Sequence, residues 1–290
     1  MENTEKIMEL LHQGYITDKM REKTRLHKME ISLKKNNMEY KKAVEANDKA
    51  SIAAYQDILN ASVNEIHTLK EKQAFLREPT TNDYLYRMQQ KQTFASKVAK
   101  YAEHKEAWCF HGTDIVGAKH IIESGQISSG ADRLGHATSF DPRGKISVTN
   151  KDTVGTSVEQ YMNLTGNFSY PAGCLFAIRA KDKTEYDKLS STGWMIDNVN
   201  FKDNPGRLVA IITTPENIET VTKWAKENHI DVKKVMDFEK FIEKCKGYGP
   251  KFPPVRDQMR MGYDDEPKPK AEKKQQPQKN PLLIQKVRQH

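Results

Sequence analysis

The chain has 290 residues, of which 37% are hydrophobic and 30% charged, with a net charge of +8. That length fits one or two domains, and the low apolar share excludes a chain packed into a core from end to end. No apolar run reaches the ~20 residues that a membrane-crossing helix needs, so no membrane span is expected.

Residues 1–105 read as a helical region. Gly and Pro are scarce there, and apolar residues recur at helical spacing: Ile7, Leu10, Leu11, Met20, Leu26, Met29 and Leu33, then Val44, Ile52, Tyr55, Ile58, Leu59, Val63, Ile66 and Leu69. Asn36-Asn37 is a plausible break between two helices. Glu78-Pro79 is a stronger one, because the residue before proline is biased away from helix. A third helix is predicted over about Tyr84–Glu103. The pattern is that of a helical hairpin plus one helix, coiled-coil-like and able to receive a partner helix.

After Lys105 the texture changes, and residues 106–245 read as an α+β domain. Ala107-Trp108-Cys109-Phe110 is a buried strand. Asp114 caps a helix with Ile115, Ala118, Ile121 and Ile122 on one face, and Gly125 ends it. Residues 128–144 form a long loop. Ile146–Thr149 alternates as a strand does, 153–164 form a helix, and Gly173–Ile178 and Leu208–Ile212 are further strands. Pro215 opens a helix through Ala225, and Asp237–Lys244 form the last one.

Residues 246–290 are rich in Pro, Lys and Gln and cannot bury enough apolar surface to fold alone. Charge follows these divisions. Lys and Arg outnumber Asp and Glu by 19 to 15 over 1–105 and by 11 to 5 over 246–290, against 17 to 19 over 106–245. Basic flanks suit nucleic acid or acidic lipid, or simply a solvated surface. They lack the interleaved aromatics of a single-strand groove, so nucleic acid is not the favoured partner. Cys109, Cys174 and Cys245 are too widely spaced for zinc. Their odd number points to a reducing compartment, which makes the cytoplasm the expected location.

His111-Gly112-Thr113 follows the first strand directly. Glycine there lets a ligand or backbone come close, and a strand-end histidine can bond a sugar hydroxyl. The run Phe110-His111-Gly112-Thr113, then Gly117-Ala118, Ile121-Ile122 and Ser124-Gly125, resembles the opening of the poly-ADP-ribose-polymerase-like branch of the ADP-ribosyltransferases. A second stretch, Gly144–Thr149 followed by Ser157 and Tyr161, resembles that family's strand and helix.

The resemblance implies an ADP-ribosyltransferase-like split β-sheet and a transferase that uses NAD as substrate. A protein acceptor would take the ADP-ribose, as with bacterial effectors or toxins that a specialised machine delivers into a host cell. It implies that His111 binds the ribose, that Gly112 and Thr113 contact the nicotinamide end, and that Ser157 and Tyr161 hold and stack on the ring. Ser157 and Tyr161 stand one residue further apart than the family's pair. Ser147 and Thr149 are an alternative pair, as in arginine-specific members. Arg143 in the loop 128–144, alongside Asp132 and His136, would reach the pyrophosphate.

The family also carries a glutamate at the head of a late strand, where it stabilises the oxocarbenium-like transition state. Arg207 heads that strand here. Asp197, Asp203, Glu216 and Glu219 are the available acids, with Glu216 taken as the catalytic one. The departure leaves open a non-enzymatic adaptor with a degenerate NAD-binding domain.

Overall fold

The computed structural model describes residues 2–101, 108–129, 144–150, 154–162, 168–181, 185 and 195–246. Three helices come first: α1 (Glu2–Glu45), α2 (Lys49–Ala74) and α3 (Thr81–Tyr101). α1 packs chiefly on α2. Its buried and half-buried residues, among them Leu11, Asp18, Leu26, Leu33, Tyr40 and Ala43, recur at helical spacing along one face.

α1 does not break at Asn36-Asn37, contrary to the sequence expectation. Two asparagines lower helix propensity by about 1 kcal/mol together, and continued packing of Leu33, Tyr40 and Ala43 outweighs that. The chain turns ten residues later. Asn47 adopts a left-handed conformation (φ 53°). Asp48 then caps α2, accepting from the Ser51 amide at 3.2 Å and the Ser51 hydroxyl at 2.6 Å.

α3 begins earlier than predicted because Thr80 and Asp83 form a reciprocal cap. The Thr80 amide donates to Asp83 at 2.9 Å, and the Asp83 amide donates to the Thr80 hydroxyl at 3.1 Å.

The remaining elements make a mixed α+β assembly. A four-stranded sheet has the order β1 (Trp108–Thr113), β4 (Cys174–Arg179), β7 (Leu208–Thr213), β8 (Val235–Met236). Its first three strands are antiparallel and β8 is parallel to β7. Two short antiparallel ladders stand beside it: β2 (Gln126–Ile127) with β6 (Val199–Asn200), and β3 (Lys145–Ser147) with β5 (Met195–Asp197).

Helices cover both faces of the sheet. On one lie α3, α5 (Val154–Met162) and α7 (Phe238–Lys246), around Phe110, Tyr161, Leu175 and Phe241. On the other lie α4 (Ile115–Ser124) and α6 (Ile218–Glu227), around Cys109, Ile122, Phe176 and Ile211. β7 is buried throughout, LVAIIT, as a strand covered on both faces must be.

The helical region is joined to this core. Val98 of α3 lies inside the first cluster, and Tyr86 and Tyr101 pack against it. The anticipated division at residue 105 therefore separates sequence textures while the packing runs across it. Among the described residues, no helix is long and apolar enough to cross a membrane.

Candidate functional site

The site is built on the end of β1. Alternation sends Cys109, His111 and Thr113 to one face and Trp108, Phe110 and Gly112 to the other. β4 pairs along one edge of β1, with His111 opposite Phe176. Along the other edge runs the segment after β3. The Phe110 amide donates to the Thr149 carbonyl at 2.7 Å, and the Thr149 amide donates to the Phe110 carbonyl at 2.8 Å.

This pairing brings Ser147 beside His111, whose Nδ1 donates to the Ser147 carbonyl at 2.8 Å. A neutral imidazole that carries its hydrogen on Nδ1 presents Nε2 as an acceptor. The half-buried ring is thus fixed in orientation and tautomer by a backbone carbonyl. The sequence pointed to Ser147 for its hydroxyl, whereas its carbonyl makes this contact.

Gly112 faces α5. A side chain there is impossible without movement, since a Cβ would stand 1.9 Å from the Ser157 carbonyl oxygen. The glycine is required by the approach of strand to helix. Thr149 and Ser157 meet beneath it. Their hydroxyls are hydrogen-bonded to each other at 2.8 Å and lie within reach of the Phe110 carbonyl, Ser157 at 3.1 Å and Thr149 at 3.3 Å. Both side chains are buried.

Tyr161 lies one turn further along α5, wholly inside the core, and burial pushes its phenol well above the ordinary range. Ser157, Thr149 and Tyr161 are therefore brought together with Gly112, but as the packed underside of β1. Their observed contacts are internal.

Thr113 ends β1, and Asp114 caps α4. One carboxylate oxygen of Asp114 accepts from the Gly117 amide at 2.7 Å, and the other pairs with Lys72 of α2 at 2.8 Å. Glu71 of the same helix bonds His120 at 2.7 Å and Lys119 at 3.2 Å on α4. These ties from the helical region to the helix behind His111 carry no sequence signal, because 42 to 49 residues separate the partners.

The four candidate acids are dispersed. Glu216 follows β7 and is held by Arg77 at 2.7 Å. Arg77 also grips Asp83 through two bonds of 2.8 and 3.1 Å. Burial and the Asp83 carboxylate raise the Glu216 pKa against the pull of Arg77. Burial opposes ionisation of Asp83 too, but Arg77 and the Thr80 amide outweigh it and drive that carboxyl well below the usual range.

Asp203 belongs to a turn with Asn200, and Glu219 is an exposed acid in the first turn of α6. Asp197 ends β5 and pairs with Lys145 directly across β3. The same ladder sets Ser147 opposite Met195. Asp197 is therefore two residues, about 7 Å of strand, from the position facing the Ser147 that holds His111.

Arg207, at the head of β7 where the family pattern has glutamate, is buried and paired with the buried Glu185 at 2.8 Å. Arg143, Asp132 and His136 lie outside the described residues. Among the described residues, no group of three or more His, Cys, Asp or Glu is placed to hold a metal ion. Compared with known proteins, the chain matches no family model, no curated protein and no solved structure.

Proposed function

We propose that the chain is an NAD-dependent ADP-ribosyltransferase acting on a protein, with His111 at its NAD site. The observation that carries this reading is the strand-end His111, fixed by the Ser147 carbonyl and followed at once by the capped N-terminus of α4. Such a histidine can bond a ribose hydroxyl through Nε2. In the reaction the bond from nicotinamide to ribose breaks and its electron pair leaves with nicotinamide. The acceptor side chain forms the new bond to the ribose carbon and gives its proton to solvent or to the acid.

A carboxylate near the ribose stabilises the developing positive charge. This reading assigns that work to Asp197. Its side chain is exposed to solvent beside Lys145. Glu216, engaged by Arg77 of the helical region, then has a structural part.

A second reading is favoured by the internal contacts of Thr149, Ser157 and Tyr161. If those side chains serve only packing, the domain is a degenerate NAD-binding fold in a non-enzymatic adaptor.

The test is incubation of the purified chain with labelled NAD, followed by mass spectrometry for free nicotinamide and ADP-ribosylated protein. The transferase reading expects nicotinamide release that vanishes in His111→Ala, drops at least tenfold in Asp197→Asn, and persists in Glu216→Gln. Saturable NAD binding without release supports the adaptor. Absence of NAD binding removes both.

A further inference from the structure

The outward face of α1 carries an apolar row between two basic columns, a feature that the proposed NAD site does not use. At about 100° per residue, Met20, Thr24, Ile31 and Met38 fall within an arc of about 40° on the side away from α2. Met20 is 63% exposed, Ile31 54% and Met38 60%. Lys34 and Lys41 flank the row on one side, and Lys28, Lys35 and Lys42 on the other. The columns repeat every seven residues: 34 and 41, then 28, 35 and 42. Of these five lysines, only Lys42 has an ion pair among the described residues, with Glu39 at 2.9 Å. Residues 19–42 hold nine Lys and Arg against three Glu.

We propose that this face docks an acidic amphipathic helix of another protein, one whose apolar seam is flanked by Glu or Asp. The sequence-level expectation of a partner helix named neither a face nor a chemistry, and the structure supplies both. The row is the width of a coiled-coil seam and much narrower than the arc of 100° or more that a broad apolar contact needs. That narrowness disfavours insertion into a lipid surface. A phosphate backbone would satisfy the lysines but leave the exposed Ile and Met side chains against charge, which disfavours nucleic acid. A second copy of α1 would set lysine columns against lysine columns, and like charges across such a seam repel. Acidic flanking columns on a helix answer every part of the face. The exposed row from Met20 to Met38 is about 27 Å long, enough for five turns of partner. Exposed methionines also adapt to differing seams.

The test uses the full chain and a labelled synthetic helix with a leucine seam flanked by glutamates, read by fluorescence anisotropy. Saturable, salt-sensitive binding is expected, weakened at least tenfold by Lys34→Glu with Lys35→Glu. Ile31→Gln with Met38→Gln, which keep the charge, should weaken it at least tenfold as well, while leaving any binding of polyglutamate of equal charge unchanged. Circular dichroism of each variant checks that the exposed substitutions keep the fold. Failure of the synthetic helix to bind overturns the proposal. Equal affinity for it in the Ile31→Gln, Met38→Gln chain does so too, because attraction is then charge alone. So does tighter binding of phosphatidylserine vesicles or duplex RNA with the same dependence on Lys34 and Lys35.

Discussion

At the scale of single residues, His-Gly-Thr divides its work between two faces of a strand. His111 points toward the candidate site, and Gly112 lets α5 touch the strand from beneath. Gly112→Ala must push α5 away or twist β1, since the contact it would make is with backbone. We expect about 1–3 kcal/mol of destabilisation, in the range of overpacked cores, visible as a lowered Tm. An unchanged Tm would show that α5 is free to shift. The tripeptide was legible in the sequence as a strand followed by a capped helix. The commitment of Thr149 and Ser157 to the Phe110 carbonyl was not, because it depends on a pairing across 39 and 47 residues. Tyr161 was recognisable as a residue of that helical face, and only the packing reveals its full burial.

At the scale of elements, local signals decided most of the outcome. Asp114 and Gly125 bounded α4 as their chemistry dictates, with Gly125 at φ 67°. The uninterrupted course of α1 past Asn36-Asn37 shows the opposite case, in which tertiary contact overrides a local break signal. The junction of α2, α3 and the end of β7 is a cluster of charges, and its pH response follows from the two carboxyl shifts. Asp83 is depressed, so its contribution is complete above the ordinary aspartate value of 3.8 and is lost as pH falls below it. Glu216 is raised, so its ionised form costs stability, and the cost is relieved as pH falls toward its raised value from above. Thermal melts should therefore show Asp83→Asn less stable than wild type near neutrality, with the difference shrinking below about pH 4. Glu216→Gln should remove the gain on mild acidification. A difference for Asp83→Asn that grows toward low pH would contradict the clamp.

At the scale of the whole molecule, the helical hairpin is fastened to the sheet domain at several points. Lys72 meets Asp114, Arg77 meets Glu216, and the Arg77 amide donates to the Ser169 carbonyl at 2.8 Å. Phe75 packs edge-on against Trp224 at 6.3 Å. A chain beginning at residue 78 loses all of these while keeping α3. We expect it to melt lower than the full chain and to show red-shifted tryptophan emission, a shift that Trp224→Phe removes. Equal Tm and emission would mean that the hairpin is only an appendage. Composition and periodicity were enough to mark a helical stretch and a mixed α+β stretch, but attachments between remote side chains leave no periodic trace. The order of the sheet has a further consequence, for the timing of folding. β4 lies between β1 and β7, and Trp108 finds its partner only at Arg179. The hairpin of α1 and α2 can zip outward from its turn at Asn47, so it can form before the sheet strands are made. β1 must wait for some 70 further residues, several seconds of synthesis at about 5–20 residues per second. During that interval Trp108, Cys109 and Phe110 have no sheet to bury them. A pause or truncation between residues 113 and 174 would release a finished hairpin joined to an apolar, aggregation-prone strand.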